Sequence, residues 1–167
     1  MRTLIASIAI VFLTAMLIGT AVSGVETSVT ATVTAEVVAL SITANGSFDY
    51  GSVVTTADTT SNGVNKSPTI RNDGSVNEDF QLKGTDSASW TLASSAGSAT
   101  YAHKECHATC DTSPSWAALN HTSYSASIFT SVAPTGTGAF DLQVTVPTST
   151  AGVSQQNVNV DVQATKS

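Results

Sequence analysis

Between Phe140 and Ala164 the chain alternates apolar and polar residues with a period of two. Phe140, Leu142, Val144 and Val146 are interleaved with Asp141, Gln143 and Thr145. After Pro147 and a run of small polar residues, Val158, Val160, Val162 and Ala164 alternate with Asn157, Asn159, Asp161 and Gln163. A strand turns successive side chains to opposite faces, so each run is apolar on one side and polar on the other. Two such runs around a turn-rich loop predict neighbouring strands of a half-buried antiparallel sheet.

The same pattern extends towards the N-terminus. Val29, Ala31, Val33, Ala35 and Val37 alternate with Ser28, Thr30, Thr32, Thr34 and Glu36. At Val37-Val38 the phase changes, and Val38, Leu40 and Ile42 continue on the opposite parity. A slip of one residue marks a bulge or a strand that changes sheets. The stretch 28–42 is therefore expected to be one long bent strand, or a strand donated to the open sheet edge of a neighbouring subunit. Further short strands are expected at 48–53, 68–71, 76–82, 90–92, 101–104, 116–119 and 128–132, separated by turns such as Asn45-Gly46 and Asn72-Asp73-Gly74. Many short strands punctuated by Gly, Pro and Asn predict an all-β fold, a single antiparallel β-sandwich of Ig-like or jelly-roll type. The sandwich spans 24–167, after an N-terminal signal or anchor helix.

That helix is read from residues 1–23. Met1-Arg2 is a basic start, Leu4 to Leu17 is apolar apart from Ser7 and Thr14, and Ala21-Val22-Ser23 has the small-x-small form of a cleavage site. Residues 4–22 are also long enough to cross a bilayer, so the segment is a cleaved signal peptide or a retained membrane anchor. Either reading places the remainder at the cell surface or outside the cell. Net charge of −6, with only six Lys and Arg, all isolated, disfavours nucleic acid as a partner.

Reactive chemistry has few places to sit. His103, Cys106, His107 and Cys110 form one cluster. On a helix they would share a face and suit a tetrahedral metal, but the spacing departs from the usual paired arrangement. In an exported chain Cys106 and Cys110 are expected to pair as a disulfide, restricting the unfolded chain by about 2 kcal/mol. Asp73, Glu78 and Asp79 are a candidate Ca²⁺ set, because a hard cation takes loop oxygens; otherwise no cofactor is expected. Glu78 also stands out as an acid on the apolar face of Val76, Phe80 and Leu82. Trp116 and Tyr124 are candidate ligand contacts, for example to a sugar. Asn45-Gly-Ser, Asn65-Lys-Ser and Asn120-His-Thr are formal N-glycosylation triplets. There is no Gly-x-Ser-x-Gly, no His-Glu-x-x-His and no phosphate-cradling glycine loop.

Phe48-Asp49-Tyr50-Gly51-Ser52-Val53, followed by Trp90-Thr91-Leu92, resembles the WxL-type cell-surface domains, with an aromatic-Gly strand near the start and Trp-x-Leu further on. One Trp-x-Leu is present where that family has two. In composition the chain is also similar to exported Thr/Ser/Val-rich subunits of prokaryotic surface layers and fibres, including the camelysin/TasA-like matrix proteins. These resemblances imply an extracellular β-rich protein displayed at a prokaryotic surface. The expectation is a non-enzymatic structural or interaction protein, a subunit or display module of a surface layer or fibre. It would bind copies of itself or other envelope components, possible assembly running through strand 28–42. The alternatives are an extracellular carbohydrate or surface-ligand binding module and a metal-dependent hydrolase using His103 and His107.

Overall fold

The computed structural model describes residues 32–54, 58–60, 66–149 and 154–167. The signal or anchor segment 1–23, the residues 28–31 that begin the long alternating stretch, and Asn65 lie outside the described residues. The chain divides into two compact units, 1–34 and 35–167, and everything below concerns the second.

This unit is all-β. Eleven strands are found among the described residues: β1 (Leu40–Ala44), β2 (Asp58–Thr60), β3 (Thr69–Asn72), β4 (Glu78–Gly84), β5 (Thr91–Ala93), β6 (Thr100–Cys106), β7 (Ala117–Ala118), β8 (Phe129–Val132), β9 (Thr137–Ala139), β10 (Asp141–Thr145) and β11 (Val160–Lys166). They form three sheets, ordered β1-β3-β9, β2-β10-β6-β5 and β11-β4-β8. All pairings are antiparallel except β5 with β6. β5 pairs with residues 100–102 of β6 and β7 with 104–105, so these two short strands follow one another along β6, with β10 as its other neighbour.

The alternation chooses the faces. β4 buries Glu78, Phe80, Leu82 and Gly84 and half-exposes the residues between them. Phe80, Leu82, Ile70, Leu92 and Tyr101 form the centre of the core, each at most 2 % exposed. Fully burying one such side chain contributes about 1.5–3 kcal/mol relative to leaving it in water. β10 behaves differently. It is an inner strand between β2 and β6, and Asp141 and Gln143 are buried along with Leu142 and Val144. Ser67 Oγ donates to the Asp141 carboxylate, which offsets part of its desolvation.

Three expectations are corrected here. The two alternating runs are not sheet neighbours: β10 pairs with β2 and β6, and β11 pairs with β4 in another sheet. Period-two alternation fixes which face is apolar but carries no information about which strand lies alongside. The stretch 28–42 is not one strand over its described part, because β1 begins only at Leu40 and 32–39 has no strand assignment. The aromatic stretch 48–53 is not a strand either. Asp49 Oδ1 accepts from Gly51 N at 2.8 Å, and Gly51 sits at φ +74°, which turns the backbone out of extension.

An open groove and a polar clamp

Segment 36–39, which leads into β1, is held by the turn between β3 and β4. Ser75 Oγ accepts from Val37 N at 2.9 Å, Ser75 N donates to Val37 O at 2.9 Å, and Asp73 N donates to Ala39 O at 2.8 Å. Ala39 N donates to Glu78 Oε1 at 2.8 Å. This accounts for an acid on the apolar face of β4: Glu78 is fully buried and satisfies a main-chain donor of the passing segment. Its Oε2 has no partner among the described residues. A side chain at Gly74 would collide with Glu78 Oε1 and Val37 O, so glycine is needed for the close approach. Asn72 builds the turn itself. Its Oδ1 accepts from Gly74 N at 2.8 Å, and its Nδ2 donates to Val76 O and Val132 O at 2.8 and 2.7 Å. Lys166 Nζ pairs with Glu36 Oε2 at 2.5 Å on the surface above.

A second region is built from the two alternating runs. Leu142, Val144 and Val146 from β10 and just beyond it, and Val158, Val160 and Val162 from β11 and just before it, line a groove of about 1320 Å³. Ile42, Phe48, Tyr50, Trp90, His103 and Phe140 complete the apolar and aromatic part of its wall, and Asn45, Gln156, Asn157 and Asp161 add polar groups. Phe48, Tyr50 and the three valines of the β11 side are only half-buried. Among the described residues β11 pairs only with β4.

Tyr50 and His103 meet in the wall of this groove. Tyr50 Oη and His103 Nε2 share a hydrogen bond at 3.1 Å, with the rings edge-on. Burial lowers the His103 imidazole to about 4, and burial, with Tyr101 and Asp141 adding to it, raises the Tyr50 phenol. Both groups are therefore neutral at pH 7 and supply a hydrogen bond, not a charge. His103 Nδ1 has no partner among the described residues.

Apart from the cysteine pair, the residues proposed from sequence are dispersed. Residues 100–106 are strand, so the helical face imagined for the His/Cys cluster does not form. His103 is buried against Tyr50 and Tyr101, whereas His107 is exposed, with Nδ1 3.0 Å from Glu105 Oε2 and its ring edge-on to Phe129. Cys106 and Cys110 lie at disulfide distance, with Cα atoms 5.8 Å apart. Of the Ca²⁺ candidates, Asp73 lies 3.5 Å from Arg71, Glu78 holds Ala39, and Asp79 accepts from Ser131 N and Ser167 Oγ at 2.8 and 2.6 Å. The Ser167 bond and then the Ser131 bond hold the Asp79 carboxyl below the usual range. Among the described residues no three His, Cys, Asp or Glu side chains form a group that could hold a metal ion. Tyr124 lies beneath the Lys83 ammonium, 5.0 Å from ring centroid to Nζ, and Trp116 precedes β7; neither lines the groove. Sequence reasoning missed the groove and the Tyr50–His103 pair. Both depend on strands far apart in the chain coming together, for which the local pattern holds no signal.

No family model matches this chain, and no curated protein or solved structure matches it either. The likeness to WxL-type domains thus rests on the residues quoted above and that to camelysin/TasA-like proteins on composition; the aromatic-Gly stretch 48–53 is a groove-lining loop in this structure.

Proposed function

We propose that the chain is an exported structural subunit, a β-sandwich that joins copies of itself into a surface layer or fibre and acts by contact without a cofactor. Residues 1–23 direct export as a signal or anchor. The observation that supports the reading is the groove lined by both alternating runs, with valines in its walls and, beside it, an edge of β11 that has no strand partner among the described residues. A strand laid along β11 supplies main-chain partners to that edge and side chains to the groove.

The occupant is residues 24–35 of a second copy. That segment alternates Val29, Ala31, Val33 and Ala35 with Ser and Thr and carries one charge, Glu26. Extended at about 3.3 Å per residue it spans about 40 Å, against about 23 Å for the 7 residues of β11. It can therefore leave its own domain and still cover a neighbour's edge strand. The clamp on 36–39 fixes the point of departure, so the strand given away lies N-terminal to Glu36. Because the departing segment and the receiving groove are different surfaces, the contact is head-to-tail, which generates open filaments or rings in place of closed pairs.

The test compares the chain from Gly24 with the chain from Ala35 by electron microscopy and size-exclusion chromatography. The longer form assembles and the shorter stays monomeric. A synthetic peptide of residues 24–36 binds the shorter form and raises its Tm. Filaments from the shorter form would refute strand donation, and a monomeric longer form would refute the subunit reading.

A further inference from the structure

The N-glycosylation triplets at Asn45 and Asn120 are not equivalent once the chain is folded, and this difference goes beyond the assembly reading. At Asn120-His121-Thr122 all three residues are exposed. Asn120 Oδ1 accepts from both Thr122 N and Thr122 Oγ1 at 2.8 Å, so the acceptor amide and the hydroxyl of the triplet are held on one turn. The Asn120 amide nitrogen has no partner among the described residues. Main-chain bonds from Gly84 N to Asn120 O at 3.0 Å and from Leu119 N to His103 O at 2.8 Å fix the base of this turn to β4 and β6.

Asn45 is the opposite case. It is half-buried, sits at φ +52°, and its Nδ2 donates to Ser67 O at 3.0 Å. Its amide nitrogen is thus occupied, and the residue lines the groove, where a sugar would block entry.

We infer that Asn120 is an N-glycan acceptor in the folded protein and that Asn45 is not. The donor is an oligosaccharide carried on a polyisoprenyl phosphate or pyrophosphate. Asn120 Nδ2 forms the bond to the sugar C1, the C1–O bond to the lipid phosphate breaks, the phosphate leaves with the electron pair, and the amide proton passes to the transferase base. The triplet is recognised through its Asn and Thr, both accessible here.

The test incubates folded, purified full chain with an oligosaccharyltransferase that accepts the bare Asn-x-Thr triplet, together with its lipid-linked donor. Intact mass and glycopeptide mapping give the readout. Wild type and Asn45→Gln gain a glycan at Asn120, and Asn120→Gln and Thr122→Val lose it, whatever glycopeptide mapping finds at Asn65. Heat-unfolded chain additionally takes up glycan at Asn45, since unfolding frees that amide. An unmodified Asn120 in folded wild type overturns the inference, as does modification of Asn45 in the folded chain.

Discussion

The clamp around segment 36–39 and the groove between β10 and β11 are built on opposite plans. In the clamp, main-chain groups of Val37 and Ala39 are matched by Ser75, Asp73 and Glu78, and a glycine makes room for them. In the groove, valines are half-exposed and a strand edge has no neighbour among the described residues. One region is closed by hydrogen bonds within a single chain; the other, among the described residues, leaves half-buried valines and a strand edge uncovered. Under the proposed assembly, the difference teaches where stability ends and association begins.

Changes to the completed part should cost folding stability, and changes to the groove should cost association. The largest expected effect is from Phe80→Ala in the core behind the clamp, about 3–5 kcal/mol from lost burial and a residual cavity, read from the urea midpoint. An intermediate loss, about 1–3 kcal/mol, follows from Gly74→Val, because the new side chain meets Glu78 and the Val37 carbonyl. The pH dependence of unfolding isolates His103. With its folded value near 4 and an unfolded value near 6.5, the unfolded chain binds the extra proton between those limits. Its contribution is complete above pH 6.5 and falls by roughly 3 kcal/mol as pH drops towards 4. His103→Gln should flatten that slope, and an unchanged slope in the variant would assign it to other groups. Glu78→Leu removes the acceptor of a main-chain donor and should cost about 1–2 kcal/mol, with a more mobile 36–39 in hydrogen exchange. The smallest effect on folding is expected from Val160→Ser on the groove wall, about 1 kcal/mol or less, while the same change abolishes binding of the 24–36 peptide. If Val160→Ser unfolds the domain yet spares peptide binding, the contrast between the two regions is wrong.

Much of the fold was legible because local physics dictates it. The alternation at 76–82 marked β4, and Pro68 to Arg71 marked β3 to within a residue. The turn at Asn72-Asp73-Gly74 follows from the habit of Asn to bond its own backbone, and Asn72 does so. Glu78 was visible as an anomaly, but its reason was not, since Ala39 is far away in the chain. The parallel pairing of β5 with β6 was illegible for the same cause. The candidate site fared worse. Val144 and Val160 were both read correctly as apolar strand positions, yet their joint role emerges only when β10 and β11 face one another from separate sheets. In the His/Cys cluster the expected Cys106–Cys110 pairing is found at disulfide distance, whereas the metal alternative needed a helix, and a strand carries His103 and His107 to different surroundings.

Ser167 has a practical bearing on how the molecule is handled. Its N–H donates to Asn77 O, its hydroxyl donates to Asp79, and the preceding Lys166 reaches Glu36. Whatever is attached after Ser167, such as a purification tag or fluorescent reporter, thus emerges beside Glu36 and the clamp. Labels intended to spare that region belong instead on the exposed loop around Asp111–Ser115.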